Sequence, residues 1–305
     1  MDLVTGINVG NTLDSPKEGD WGWVLEESHF DVIRDAGFDH VRVPIRWSTH
    51  ADAQAPYTID PHFFDRIDWV VGNIISRGMI AVINMHHYQE LFETPLEHFE
   101  RFTGLWRQIS EHYSGYGDNV YFEILNEPNN ALTPELWNDL LKQTFPVIRA
   151  SNPNRWIAID TALWGSYKGL QSLALPDDSR IIVSFHFYLP PQFCFQGAPW
   201  TEHPFPAGMK WRGRFLEKRR ITRALDLIAA WAGENGNVPL WNGEYCVHKW
   251  ADMDSRVRWT RFVTREARKR GIANTIWNFH VADSAGLYDP QKGEWIRELL
   301  EAVVS

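Results

Sequence analysis

The sequence predicts one (β/α)8 barrel domain over residues 1–305. Three observations favour this fold. Short apolar runs typical of strands alternate with helix-like runs from one end of the chain to the other. Helices end repeatedly in an arginine and a glycine before the next apolar run, and several strands place polar residues on one face near their carboxyl ends. A doubly wound sheet is the alternative, because it shows the same alternation.

Eight runs have the length and composition of β-strands. Each is separated from the next by a segment with room for a helix, which favours a parallel array. Eight such units in a chain of this length match the barrel better than an open sheet. The predicted strands are 6–10, 40–45, 79–85, 120–126, 156–160, 181–187, 239–244 and 274–279.

The segments between the strands carry helix signals. Thr133 is a suitable N-cap and is followed by Pro134 in the first turn. Gly37, Gly78 and Gly271 each follow a helix and precede an apolar strand, which predicts left-handed C-caps. One apolar helical face recurs in steps of three or four residues: Phe99, Phe102, Trp106, Ile109 and Tyr113.

Polar residues share one face at the ends of three predicted strands. Side chains two positions apart in a strand point to the same side of the sheet. The interior of a barrel is usually filled with Val, Ile and Leu, whereas its active site lies at the carboxyl ends of the strands. The polar groups are Asn84 with His86, Glu123 with Glu127, and Ser184 with His186 and Tyr188.

The net charge and the distribution of apolar residues limit the kinds of binding partner that we expect. Thirty basic and 39 acidic residues give a net charge of −9, which argues against nucleic acid and suits a neutral substrate. No apolar stretch is long enough to span a membrane, and the first residues do not resemble a signal peptide. The chain is therefore expected inside the cell, or outside it if it is a mature form.

Cys194 and Cys246 fit no metal spacing and are expected as buried or free thiols, with a disulfide left open.

Two glutamates are the leading catalytic candidates. Glu127 follows a strand and precedes Pro128, which favours an extended backbone at Glu127. Glu244 ends another strand and follows Gly243, which permits close backbone approach. If the barrel brings them together, they form the acid and the nucleophile that break a glycosidic bond. Taken singly, each could instead be a capping or solvent-facing residue.

Other polar residues of the strands suggest sugar contacts or tuning of the carboxylates. His86 and His87 are adjacent in a strand and point to opposite faces, so a shared metal ion is not expected. Arg42 lies in an apolar strand and needs a carboxylate partner, either Glu123 or Glu244. Sixteen tryptophans are many for this length, and some are expected to stack on sugar faces in a cleft. Nucleotide-binding loops and serine-hydrolase elbows are absent from the sequence.

The order of these motifs resembles glycoside hydrolase family 5 over essentially the whole chain. The likeness is greatest to thermophile-type bacterial endoglucanases that also accept mannan, through segments 18–22 and 195–200. Tyr245 and Cys246 depart from the Phe-Gly that usually follows the nucleophile, and Phe195 replaces a usual histidine. The matching segments are 6–14, 41–44, 84–88, 125–128, 186–188, 243–244 and Trp277.

The resemblance implies a set of roles. Glu127 would be the acid/base and Glu244 the nucleophile. Arg42 would orient Glu244, Asn126 would hold the sugar 2-hydroxyl, and His186 and Tyr188 would tune the two carboxylates. The residues implied to bind sugar are Asn11, Asp14, His86, His87, Trp200 and Trp277.

The expected function is therefore a retaining endo-β-1,4-glucanase, acting on a β-glucan or mannan as a monomer without a metal or cofactor. Two alternatives remain open. The enzyme could be an endo-β-1,4-mannanase or act on both polymers, or the barrel could bind carbohydrate without cutting it.

Overall fold

Eight parallel strands close into a barrel in the computed structural model, which describes residues 1–201 and 204–305. Each strand pairs with the next along the chain, and β1 pairs with β8, so the predicted barrel is confirmed and the open sheet is excluded. The strands are β1 Thr5–Asn8, β2 His40–Val43, β3 Ile80–Asn84, β4 Val120–Glu123, β5 Ile157–Asp160, β6 Ile181–His186, β7 Leu240–Tyr245 and β8 Ala273–Ile276.

Helices follow the strands and pack around the barrel. A short antiparallel pair, β9 Tyr288–Asp289 and β10 Glu294–Trp295, lies after the last barrel strand. No helix in the described ranges is long and apolar enough to cross a membrane. The helices are α1 Glu27–Asp35, α2 Pro61–Ser76, α3 Gln89–Glu93, α4 Pro95–His112, α5 Pro134–Ser151, α6 Pro191–Cys194, α7 Phe215–Glu234, α8 Met253–Arg268 and α9 Arg297–Val304.

The helix caps predicted from the sequence are present at the predicted residues. The Thr133 hydroxyl accepts a hydrogen bond from the Leu136 N–H at the start of α5. Gly37, Gly78 and Gly271 have φ values of 90°, 77° and 68°, the left-handed conformation expected after a helix. Every predicted strand begins within one residue of the observed one, but several end earlier because their last residues turn into the loops that form the site.

The barrel interior has two layers of different polarity. The lower layer is a small apolar cluster that is separate from the main core and includes Val82, Tyr121, Ala158 and Ile182. Two residues further along the same strands come Asn84, Glu123, Asp160 and Ser184, all with no exposed surface. Because residues two apart share a face, the same strands that form an apolar plug below place polar groups directly above it.

Candidate active site

Arg42 is the centre of the polar layer. Its Nε and Nη2 donate to the two oxygens of Glu123 at 2.6 and 3.1 Å. Its Nη1 donates to Glu244 Oε1 at 2.7 Å and to Asn8 Oδ1 at 2.9 Å, and its Nη2 also donates to Asn126 Oδ1 at 2.6 Å. Arg42 is fully buried, so these pairs are little screened by water. The guanidinium pairs with both carboxylates that the sequence offered as alternatives.

Glu244 lies near the end of β7 and is held as an anion. Its Oε1 accepts from Arg42, and its Oε2 accepts from the Tyr188 hydroxyl at 2.8 Å. Burial opposes ionisation, but the positive charges of His186 and Arg42 outweigh burial and lower the pKa of Glu244. The preceding residue must be small, since a Cβ on Gly243 would lie 2.8 Å from Ser184 Oγ.

Glu127 follows β4, and its backbone is not extended as Pro128 led us to predict. Its φ is 47°, in the left-handed region that residues with a Cβ rarely adopt. The reason is a tertiary contact, because the Glu127 N–H donates to Asp160 Oδ2 at 2.8 Å. The Glu127 carbonyl also accepts from Asn129 Nδ2 at 2.6 Å. These bonds turn the carboxyl group into the cleft with 22% of its side chain exposed.

His186 connects the two glutamates. Its Nδ1 lies 2.7 Å from Glu127 Oε1 and 3.7 Å from Glu244 Oε2. Burial opposes a charged imidazolium, but Glu244, Asp160 and Glu127 outweigh burial and raise the pKa of His186 to about 10. His186 is therefore a cation at neutral pH, and it donates its Nδ1–H to Glu127.

The acid candidate keeps its proton to a higher pH than an ordinary glutamate does. Burial raises the pKa of Glu127 and the Glu244 charge adds to that, while His186 opposes the shift. Because Glu127 Oε1 already accepts from His186, the proton of a neutral Glu127 belongs on Oε2. An oxygen of Glu127 and an oxygen of Glu244 lie within 4.8 Å of each other. The fold thus brings together two carboxyl groups that are 117 residues apart in the sequence.

The residues expected to bind the sugar nearest the glutamates line the same cleft. The Trp277 and His86 rings stack with centroids 5.8 Å apart, and His86 meets His87 edge to face at 4.7 Å. Asn84 Nδ2 donates to His86 Nδ1, which leaves the hydrogen on Nε2, and burial lowers the pKa of His86 well below its usual value. Neutral imidazoles here suit hydroxyl contacts better than charge pairing.

Gly10 makes room for the Trp277 ring, since a Cβ there would lie 2.1 Å from Trp277 Cη2. Asp283 Oδ2 accepts from Trp277 Nε1 at 3.2 Å and from Asn11 Nδ2 at 2.7 Å. The structure therefore joins Asn11 to Trp277 through one carboxylate. Sequence reasoning did not single out Asp283.

Asp14 and Trp200 lie on different parts of the cleft. Asp14 is buried, and its Oδ2 has no hydrogen-bond partner in the described ranges, 3.9 Å from His87 Nε2. Burial raises the pKa of Asp14 to about 7. Trp200 is 56% exposed and packs against His248 and Trp250, with ring centroids 4.9 and 5.7 Å away.

Besides Asp283, sequence reasoning missed Asn8, Asp160 and Trp164. Asn8 accepts from Arg42 and donates to the Gly243 carbonyl, so it ties β1 to β7. Asn84, which the sequence placed at this end of the barrel, donates to Glu123 Oε2 at 3.0 Å. Asp160 holds the backbone of Glu127, and Trp164, 58% exposed, donates its N–H to the Pro128 carbonyl at 3.2 Å. The position of Asn8 and Asp160 at the carboxyl ends of strands was the signal that could have found them.

Three groups of carboxylate and imidazole side chains in the described residues lie close enough to hold a metal ion. The prediction that His86 and His87 point to opposite faces is wrong, because both follow the end of β3 at Asn84 and each brings a ring nitrogen within 4.8 Å of Asp14 in one of these groups. The other two groups include His186. A charged His186 offers no lone pair to a metal, which disfavours the latter two. Cys194 and Cys246 are both free and buried, and burial raises their pKa values well above the usual range. The thiols are therefore unreactive in this fold.

A (β/α)8 barrel with two carboxyl groups whose oxygens lie within 4.8 Å, at the carboxyl ends of its strands, has the architecture of a glycoside hydrolase. The family profile described as "Cellulase (glycosyl hydrolase family 5)" matches residues 5–283. The chain belongs to glycosyl hydrolase family 5.

Curated relatives agree with the profile. Endoglucanase H of Acetivibrio thermocellus is 35% identical over 98% of this chain, and the cellulase/esterase CelE of the same organism is 31% identical over 96%. The matches cover 32% and 37% of those two proteins, so the chain spans about a third of their length.

Solved structures show the same barrel. The endoglucanase Cel5A from Thermotoga maritima is 43% identical, covers 99% of this chain and 97% of its own, and superposes with a TM-score of 0.96. The cellulose synthase subunit Z of Clostridioides difficile is 34% identical, with full coverage of both chains and the same TM-score.

Proposed function

We propose that the protein is a retaining endo-β-1,4-glucanase with Glu127 as acid/base and Glu244 as nucleophile. The observation that carries this proposal is the short approach of the two carboxyl groups, within 4.8 Å between oxygens. Retaining enzymes hold these groups roughly 5–5.5 Å apart, whereas inverting enzymes need about 6.5–9.5 Å to admit water between them. The opposite pKa shifts support the same assignment, because the pKa of Glu127 is raised and that of Glu244 is lowered.

In the first step, an oxygen of Glu244 attacks the anomeric carbon while the Glu127 proton moves to the glycosidic oxygen. The bond between carbon and leaving oxygen breaks, and the sugar stays on Glu244 as an ester. Arg42 and Tyr188 each donate to one Glu244 oxygen and hold the carboxylate in position. Asn126, fixed through its Oδ1 by Arg42, presents its amide nitrogen for the 2-hydroxyl of the bound sugar.

In the second step, Glu127 is an anion and accepts a proton from water. The water oxygen attacks the anomeric carbon, and Glu244 leaves as a carboxylate. The positive charge of His186, 2.7 Å from Glu127 Oε1, stabilises Glu127 in this charged state. One residue can thus give a proton in the first step and accept one in the second.

A β-1,4-glucan is the favoured substrate class. The relatives over most of the chain carry endoglucanase or cellulase names. Trp277, Trp200 and the imidazoles of His86 and His87 supply the flat apolar surfaces and hydroxyl partners that sugar rings need. The unpaired Asp14 Oδ2 would accept from a sugar hydroxyl further along the cleft.

A mannan substrate is the second candidate. The Thermotoga maritima Cel5A, 43% identical to this chain, has been solved in complex with mannotriose as well as with cellobiose. An axial 2-hydroxyl would have to fit among Asn126, His86 and Glu244. Parallel rates on carboxymethyl-cellulose, mixed-linkage glucan and glucomannan decide between a glucanase, a mannanase and an enzyme that accepts both.

The test of the mechanism is the Glu244→Ala variant together with product stereochemistry. We expect Glu244→Ala to abolish release of reducing ends from soluble β-glucan, and NMR of the wild-type reaction to show the β-anomer first. The control is Glu266→Gln, which removes an ion-paired glutamate of α8 and should leave the rate unchanged. Appreciable turnover by Glu244→Ala, or an α-anomer as first product, refutes the proposal.

A further inference from the structure

Asp160 is a buried carboxyl group that the mechanism above does not use. It ends β5 and has no exposed surface. Its Oδ1 accepts the Thr161 N–H at 2.8 Å, and its Oδ2 accepts the Glu127 N–H at 2.8 Å. The same Oδ2 lies 3.6 Å from His186 Nε2, an atom that is buried and has no hydrogen-bond partner within the described ranges.

These contacts reach Glu127 from two directions. Directly, Asp160 accepts from its backbone N–H, which stabilises the left-handed φ of 47°. Indirectly, Asp160 faces one nitrogen of the His186 ring while the other nitrogen contacts Glu127 Oε1 at 2.7 Å. A backbone conformation that a residue with a Cβ rarely adopts persists only when neighbouring groups hold it, and Asp160 is the group bonded to the N–H.

The charges around Asp160 fit this arrangement. The ionisable groups near it are His186, Arg42, Glu123 and Glu127. Two N–H donors, one on each oxygen, favour its anionic form, whereas burial favours the neutral form and raises its pKa to about 7. An Asp160 anion beside His186 supports the imidazolium that contacts the acid/base.

We propose that Asp160 is a positioning residue for the proton donor, which fixes both the backbone of Glu127 and the imidazolium that orients its carboxyl group. This inference rests on the proposed function of Glu127. It assigns Asp160 to the protonation of the leaving group and not to the nucleophilic attack, since no hydrogen bond joins Asp160 to Glu244 among the described residues. If Asp160 has this role, its replacement should lower kcat/KM by a factor that depends on the leaving group.

The test compares two aryl β-cellobiosides in the wild-type chain and in Asp160→Ala. Departure of phenol needs a proton, whereas departure of 2,4-dinitrophenol does not. We expect kcat/KM for the phenyl substrate to fall about 10–100-fold, a part of the usual general-acid contribution, and kcat/KM for the dinitrophenyl substrate to stay within about 3-fold. Azide attacks the glycosyl-enzyme without the help of a general base. It should therefore restore turnover of the dinitrophenyl substrate in any variant whose glycosyl-enzyme breaks down slowly.

Two further variants keep the result interpretable. Asp160→Asn retains the shape but must turn its amide NH2 towards one of the two N–H donors, so its loss should be smaller than that of Asp160→Ala and of the same leaving-group pattern. Asp178→Asn is the matched control, because Asp178 also accepts a backbone N–H and pairs with Arg149, away from the site. On each substrate, the kcat/KM of Asp178→Asn should equal that of the wild type, even if the variant unfolds more easily.

The outcomes distinguish the acid/base role of Glu127 from the positioning role of Asp160. Glu127→Ala, measured alongside, should show the full leaving-group dependence; if it does not, the acid/base assignment itself is wrong. If Glu127→Ala shows the dependence but the Asp160 variants lose activity equally on both substrates, or lose none on the phenyl substrate, the positioning role is refuted. Where Asp160→Ala does not fold, the Asp160→Asn measurement decides alone.

Discussion

Replacing Arg42 by methionine removes the cation on which the buried carboxylates of the site depend. The Arg42 side chain has no exposed surface, and the carboxylates of Glu123 and Glu244 are 0% and 8% exposed. Methionine has a similar length but cannot pair with either. The variant therefore leaves Glu123 with Asn84 as its donor, and Glu244 with the Tyr188 hydroxyl and with His186 at 3.7 Å.

Breaking a buried ion pair by removing one partner costs about 3–5 kcal/mol, and Arg42 serves two pairs, so we expect the upper half of that range at neutral pH. The pH dependence has a definite sign. Because the pKa of Glu244 is lowered in the folded protein, its ion pair stabilises the fold above the pKa of the unfolded chain. This stability is lost as pH falls through the lower folded value, so the two proteins should approach each other in stability in acid.

Urea unfolding of wild type and Arg42→Met from about pH 3 to pH 8 measures this difference directly. The acid limb of the kcat/KM profile should also move to higher pH, because Glu244 loses a cation that lowers its pKa. Arg149→Met is the control, since Arg149 pairs with Asp178 outside the site and its loss should not move the profile. A stability loss below about 1 kcal/mol, or an unmoved acid limb, would show that Arg42 does not hold these anions as described.

Three further predictions follow from the site. The kcat/KM profile should be bell-shaped, with the acid limb below and the basic limb above the usual glutamate pKa, because Glu244 must be ionised and Glu127 protonated; a Glu127→Ala variant that kept the basic limb on a phenyl glycoside, whose leaving group needs a proton, would contradict the assignment. Trp200→Ala should raise KM for polymeric glucan about 5–30-fold with little change in kcat, since stacking on an exposed indole contributes about 1–2 kcal/mol; a change in kcat alone contradicts a binding role. Gly10→Ala should lower activity by displacing the Trp277 ring, which its Cβ would meet at 2.1 Å, and a Gly10→Ala crystal structure with an unmoved indole would overturn this reasoning.

The sequence was sufficient for the barrel and for placing Glu127 and Glu244 at the same end of it, because both follow from local patterns. Apolar runs, helix caps and the parity of strand residues are decided by neighbours in the chain, and all predicted strands begin within one residue of the observed ones. The position of Arg42 in an apolar strand predicted that its buried guanidinium would meet a carboxylate, and it pairs with Glu123 and Glu244. The family resemblance implied that Tyr188 acts on a carboxylate, and its hydroxyl donates to Glu244 at 2.8 Å.

The contacts that the sequence did not yield are those between distant strands. Pro128 favours an extended Glu127 when only neighbours are considered, but a hydrogen bond to Asp160, 33 residues away, holds it in the left-handed region instead. Asn8 reads as an ordinary polar residue in β1 until the closed barrel brings it to Arg42 and Gly243. Local propensity is a weak constraint wherever a buried polar group offers a stronger tertiary bond.

The proposed division of labour between the two glutamates fits an unequal share of positive charge. Two cations, Arg42 and His186, face more acidic groups than they can neutralise, and burial raises the pKa values of Glu127 and Asp160. Glu244 is hydrogen-bonded to Arg42 and to the Tyr188 hydroxyl, whereas the carboxyl group of Glu127 is hydrogen-bonded to His186 among the described residues, so protonating Glu127 forfeits less than protonating Glu244. The acidic groups of the cavity are Glu123, Glu127, Asp160 and Glu244.

The position of Arg42 on β2 therefore favours Glu127 over Glu244 as the proposed acid. Its guanidinium is fixed between Glu123 and Glu244 and makes no ion pair with Glu127 within the described part of the chain. Exchanging the proposed roles of Glu127 and Glu244 would require the cation to move to the other side of the barrel. In this proposal, a single buried arginine makes two chemically identical side chains differ as proton donor and nucleophile.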